Sequence, residues 1–171
     1  MKKKIVLMLT VIMLIGLAGC GKNQINIKET GTSDNNEQMV QNIYENKRTE
    51  VKQKISEIKE RLPETSAEDK GTCGSKAKWY YKDNTLIIYG EGVITEDTWH
   101  KSNIVINTVV IDSGITKLGN NMFSGLGSEV GKNIENFYIA DGLEEIGSST
   151  FVNCDCLSEI VLPPSLYFID G

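Results

Sequence analysis

The chain has 171 residues, with 18 lysines and arginines against 23 aspartates and glutamates, and a formal charge of −5. Its first nineteen residues hold three lysines and no acid, so the remaining residues stand at −8. That balance argues against nucleic acid as a partner and against charge-driven binding to anionic lipid, since both need clustered cations. The length suits about one domain with appendages.

Lys2, Lys3 and Lys4 open the chain, and Ile5 to Ala18 is an apolar run ending in Leu17-Ala18-Gly19-Cys20. The run is short of the roughly 20 residues that span a bilayer. An ordinary cleaved export signal or a short anchor fits these features. The final four residues also resemble the lipobox of bacterial lipoproteins. That resemblance implies a signal peptide over residues 1–19, a diacylglyceryl group on the Cys20 thiol, and cleavage that leaves Cys20 first. It further implies a lipid anchor in the bacterial cell membrane, on the extracytoplasmic face. Acyl chains contribute about 0.8 kcal/mol per buried methylene, so two or three of them make a stable anchor. Residues 20–36 are polar and should form a flexible tether.

Residues 37–62 have a different pattern. Val40, Ile43, Tyr44, Val51, Ile55, Ile58 and Leu62 recur at steps of three and four, with Glu50–Lys54 and Glu57–Arg61 as helix-supporting pairs. Pro63 ends the run. One helix of this length extends about 39 Å. Its first reading is a solvated helical stalk. A homodimer through residues 37–62 as a coiled coil is the alternative, although Lys47 occupies a seam position. Residues 63–72 read as a linker.

Residues 73–105 read as an N-terminal β cap. Trp79-Tyr80-Tyr81 predicts a strand, Asp83-Asn84 a turn, and Leu86 to Tyr89 a second strand. Leu86 and Ile88 lie 23 residues before Val109 and Ile111, which places the second strand beside a strand containing Val109 and Ile111.

Residues 106–171 repeat. Ile106, Val109, Ile111, Gly114, Ile115, Leu118, Gly119 and Phe123 return 28 residues later as Ile134, Phe137, Ile139, Gly142, Leu143, Ile146, Gly147 and Phe151. A third pass, from Leu157 to Ile169, comes at a spacing of 23. The extra five residues of the first unit fall within 127–133. Units of this size cannot bury their own apolar faces and must stack on a shared core. Ile160-Val161-Leu162 predicts a strand with Val161 outward, ended by Pro163 and Pro164. The third pass stops after Leu166 and Ile169, leaving an end that is truncated or completed by a partner. The pattern Leu-x-x-Ile-x-Leu-Pro-x-x-Leu-x-x-Ile, then Gly-x-x-x-Phe-x-x-Cys, resembles the BspA-type leucine-rich repeats of bacterial surface proteins. The expected fold is therefore mainly β and poor in α/β. It is a short leucine-rich-repeat solenoid of about 2.5 units with an N-terminal β cap, preceded by a long single helix.

The residues offer little chemistry. His100 is the single histidine and has no ligand or nucleophile at a useful spacing. Ser124, Ser148 and Ser149 sit at repeat corners. Asp141, Glu144 and Glu145 read as solvated corners, and the glycines as turns. No catalytic residue, metal site or cofactor is expected, and the chain reads as a non-enzyme. Cys154 takes a core position; Cys73 and Cys156 should lie too far apart in a solenoid to pair. What remains is surface. Alternation turns Ile87, Val110, Tyr138 and Val161 outward as one column, the candidate partner-contact residues. The resemblance implies adhesion or protein contact with an unknown protein or surface ligand. The alternative is a targeting or scaffold module of a larger envelope-anchored enzyme or sensor.

Overall fold

The computed structural model describes residues 34–102, 104–124 and 131–170. The expected signal peptide, the Cys20 anchor and the tether up to residue 33 lie outside them, as does most of the expected 127–133 insertion.

The cap is built on a hairpin. Strand β2 (Lys76–Lys82) pairs antiparallel with β3 (Thr85–Ile94), setting Trp79 opposite Ile88. The two turn residues, Asp83 and Asn84, have φ of 47° and 56°. Left-handed backbone at both positions matches the twist of the flanking strands, and Asp and Asn tolerate it best among side-chain-bearing residues. Strand β1 (Asp69–Thr72) adds antiparallel to β2, with Gly71 opposite Trp79. The stretch 63–72 is thus only partly a linker, and the cap starts at Asp69. A Cβ on Gly71 would stand 2.9 Å from Trp79 Nε1, so the close indole requires glycine there.

Strand β3 serves two ladders. Its first half pairs in parallel with β4 (Thr108–Ile111), in the expected register of Leu86 with Val109 and Ile88 with Ile111. Its last residues pair with β5 (Ile115–Leu118), setting Ile94 beside Leu118. Between them the chain turns a corner at Gly90 and Gly92, with φ of 98° and 85°. The first ladder continues from β4 to β6 (Asn136–Ile139), and the second from β5 to β7 (Glu145–Ile146) and β8 (Phe168–Ile169). These ladders are two sides of a coil that winds about three times. On a further side Phe123 stacks 5.5 Å from Trp99 and 6.4 Å from Phe151, with ring planes within 12°. Trp99 and Ile94 therefore occupy the places that Phe123 and Leu118 hold one coil later. The cap doubles as the first coil, and the array begins in β3 rather than at Ile106.

The core lies between the ladders. Ile88, Ile111 and Ile139 line one wall, Ile94, Leu118 and Ile146 the other, each no more than 2 % exposed. Cys154 fills its expected inner position, with its thiol donating to the Phe123 carbonyl.

One expected strand does not form. Ile160 and Leu162 point into the core and Val161 outward, as alternation requires, yet β6 pairs with β4 alone and no backbone hydrogen bond joins Ile160–Leu162 to it. Pro163 stands 23 residues after Ala140, whose N–H closes the preceding ladder on the Ile111 carbonyl, and proline has no N–H to repeat that bond. Meanwhile the carbonyls of Val161 and Leu162 accept hydrogen bonds from a helix.

That helix, α1 (Asp34–Arg61), forms where the periodicity placed it. It is not a free stalk. It lies across the first ladder, with Val51, Ile55, Ile58 and Leu62 each under 9 % exposed against Tyr80, Ile87 and Val110. The stripe that suggested a coiled-coil seam is used on the chain's own sheet.

Candidate functional site

The outward column exists and is in register: Ile87 beside Val110, and Val110 beside Tyr138. Val161 continues it, and Tyr80 of β2 begins it opposite Ile87. These residues are not an open surface. Ile87 and Val110 are 0 % exposed, and Tyr138 and Val161 are partly buried, because α1 covers them.

The helix runs against the direction of the array. Its C-terminal end reaches the cap, where the Tyr80 hydroxyl donates to the Leu62 carbonyl at 2.9 Å. Its middle crosses β3, β4 and β6. Farther toward its N-terminus the Tyr44 hydroxyl donates to the Leu162 carbonyl at 2.9 Å. Residues 44 to 62 span about 27 Å as a helix. Four neighbouring strands, β2, β3, β4 and β6, spaced about 4.8 Å apart, fit under that length.

Basic residues of α1 meet acids on the rim. Arg48, only 3 % exposed, donates to the Val161 carbonyl at 2.9 Å and to Asp141 at 2.7 Å. Lys52 reaches the other oxygen of Asp141 at 2.7 Å, Lys47 reaches Glu159 at 2.9 Å, and Lys59 pairs with Asp112. Burial pushes the Asp141 carboxyl up, but the hydrogen bonds from Lys52 and Arg48 outweigh it and hold it below the usual carboxylate range. Burial raises the Tyr44 phenol, so it stays a neutral donor.

Beside the cover the surface is not closed. A cleft of about 320 Å³ remains between α1, the open edge of β6 and the segment Ser158–Val161. Its mouth carries Lys47, Glu50, Lys54 and Glu135, and Tyr138 and Val161 line it.

Sequence reasoning placed the column correctly and missed its cover, together with Tyr44, Arg48 and Asp141. One signal was present. Arg48 lies four residues after Tyr44 and three before Val51, inside the apolar stripe. A guanidinium there suits backbone carbonyls and a carboxylate better than a second helix.

The remaining polar candidates sit apart. His100 holds Asp97 through Nδ1 at 2.7 Å and packs edge-on against Trp99. Glu145 takes Lys117 at 2.6 Å and the Tyr167 hydroxyl at 2.9 Å. Ser148 and Ser149 face each other at a corner, 3.5 Å apart. Among the described residues no group of three or more His, Cys, Asp or Glu could hold a metal ion, and no helix is long and apolar enough to cross a membrane. Cys73, Cys154 and Cys156 are free thiols, the first two buried and the last exposed. A second apolar surface is open: Tyr167, Phe168 and Ile169, along β8, are between 42 % and 61 % exposed.

Residues 87–171 match the family model described as "BspA type Leucine rich repeat region (6 copies)". No curated protein matches the chain. Among solved structures, the chain is similar to a leucine-rich repeat protein from Eubacterium ventriosum, with 24 % identity over 50 % of this chain and a TM-score of 0.41. The match covers 23 % of that protein.

Proposed function

This chain belongs, through residues 87–171, to the BspA-type leucine-rich repeat proteins, and from that premise we propose a non-enzymatic protein-binding or adhesion module, held outside the bacterial cell membrane by acylated Cys20. The observation that carries the binding role is the repeat array. Its interior is closed by aliphatic and aromatic side chains, so function falls to its surface. The anchor rests on Leu17-Ala18-Gly19-Cys20 after a basic start and an apolar run.

Fractionation of cells carrying the wild-type chain and Cys20→Ala, with labelled fatty acid, tests the anchor. The wild type should take up label and sediment with membranes, and Cys20→Ala should do neither. Equal distribution of the two would contradict it. Protease applied to intact, wall-stripped cells should remove the repeats; protection of the repeats would contradict an outward location.

A second reading, a scaffold or targeting module of a larger envelope-anchored enzyme or sensor, is favoured by the exposed Tyr167, Phe168 and Ile169. Another coil or a partner's strand would cover them. Under that reading Phe168→Asp abolishes an association that the wild type shows in solution. If the two proteins have the same mass at every concentration, this reading fails.

A further inference from the structure

We propose that the free edge of β8 receives an extended segment of a partner protein, and that this segment carries alternating apolar side chains flanked by lysine or arginine. The inference rests on the protein-binding reading above and names its surface and the chemistry of its partner.

The backbone of the second ladder leaves a place for one more strand. The Thr116 carbonyl accepts from the Glu144 N–H, and the Glu144 carbonyl accepts from the N–H groups of Tyr167 and Phe168. The Leu118 carbonyl accepts from the Gly147 N–H, and the Ile146 carbonyl from the Asp170 N–H. Tyr167 and Ile169 stand 23 residues after Glu144 and Ile146, so their carbonyls are the next acceptors in these two rows. Among the described residues β8 pairs with β7 alone, and no backbone N–H donates to either carbonyl. Phe168 and Asp170 direct their N–H groups at β7, so alternation turns the Ile169 N–H outward as well.

The side chains agree with the backbone. Ile169 follows Leu118 and Ile146 in the inward row. Those two are 0 % and 2 % exposed, whereas Ile169 is 42 % exposed. Phe168 and Tyr167 beside it are exposed too. An apolar edge with unpaired backbone groups is a template for an added strand, whose alternate side chains then cover the open row.

Charge selects the occupant. Residues 133–170 hold seven acids and no lysine or arginine. Asp141, Glu145 and Glu159 are matched by cations from earlier elements. Glu144 and Asp170, which flank the edge, are exposed, and among the described residues neither forms an ion pair. The same sign continues on α1, which runs ten residues, about 15 Å, beyond Tyr44. Residues 34–46 hold three acids and no lysine or arginine. A second copy meeting this edge would bring acid against acid, whereas a segment with basic flanks meets complementary charge.

Two short labelled peptides probe the edge on the full chain, one alternating valine with lysine and the other valine with glutamate. Fluorescence anisotropy should show the lysine peptide binding at least about tenfold more tightly than the glutamate peptide. Glu144→Gln with Asp170→Asn, which alters exposed side chains only, should weaken the lysine peptide by a similar factor. With the peptide at saturation the Ile169 amide should exchange at least about tenfold more slowly, because it enters a new ladder. A smaller preference, no binding of either peptide, unchanged affinity in the double variant, or binding that leaves the Ile169 amide as it was would overturn the proposal. So would a full chain that dimerises through Phe168, since a second copy would then be the occupant. None of these readouts depends on acylation of Cys20 or on outward exposure of the repeats. Failure here removes this edge and leaves the anchored binding module to its own tests.

Discussion

Arg48 shows how one side chain decides where a helix goes. Its guanidinium is buried, and it bridges a backbone carbonyl and Asp141, which lie on different coils. Arg48→Ala leaves both acceptors without that donor, and charged hydrogen bonds of this kind contribute about 1.5–3 kcal/mol. The expected result is faster exchange throughout residues 44–62 with the sheet unaffected. Asp141 adds a pH dependence. Its folded pKa is depressed by Lys52 and Arg48, so its contribution is complete above the ordinary carboxylate value and is lost as pH falls through the folded one. Taking the pH from about 5 to about 2 should therefore lower the melting temperature more for the wild type than for Asp141→Asn. Parallel losses in both would show that Asp141 is not the titrating group. The thiols divide in the same way, by environment. Burial pushes Cys73 and Cys154 up to about 12, whereas Cys156 is exposed. Mapping of alkylated cysteines in the native protein near neutral pH should find label at Cys156 and none at the other two.

At the scale of elements, corner glycines are not equivalent. Gly142 has φ of 118°, and a Cβ there would lie 2.3 Å from the Ser113 carbonyl of the previous coil. Gly92 has φ of 85° with no atom within 4 Å of its would-be Cβ. Gly92→Ala should cost about 1 kcal/mol, and Gly142→Ala distinctly more, because strain and a backbone clash add. Thermal melts of the two variants check the order. The strands were legible because Leu86, Val109 and Phe137 repeat with the same inward partners two residues on. Strand β1 was not legible, since Asp69-Lys-Gly-Thr72 carries no large apolar residue and is held by pairing with β2. The destination of α1 was hidden for another reason. An apolar stripe at three- and four-residue steps reads alike whether its complement is a helix or a sheet. Ile160–Leu162 has every local mark of a strand, but ladder formation depends on donors elsewhere: Pro163 lacks one, and Tyr44 and Arg48 engage the carbonyls.

For the whole molecule, the ring stack ties the coils together. Phe123 lies between Trp99 and Phe151 and is 0 % exposed, so Phe123→Ala opens a cavity reached by all three coils and should cost about 3–5 kcal/mol. A single, cooperative loss in the melt is expected, because each coil contacts its neighbours through this ring. The helix is the other long-range tie. It joins the cap to the segment Val161–Leu162 across the face that the outward column would otherwise present. In an anchored protein it would also connect the tether directly to that face.

Helix α1 belongs to the folded module and is not a free stalk. Residue-resolved hydrogen exchange on the full chain, under conditions where its solution mass is that of a monomer, tests it most directly. Amides of residues 51–62 should be protected together with those of β3 and β4. Rapid exchange along the whole helix, beside a protected sheet, would contradict it and return Ile87, Val110, Tyr138 and Val161 to solvent.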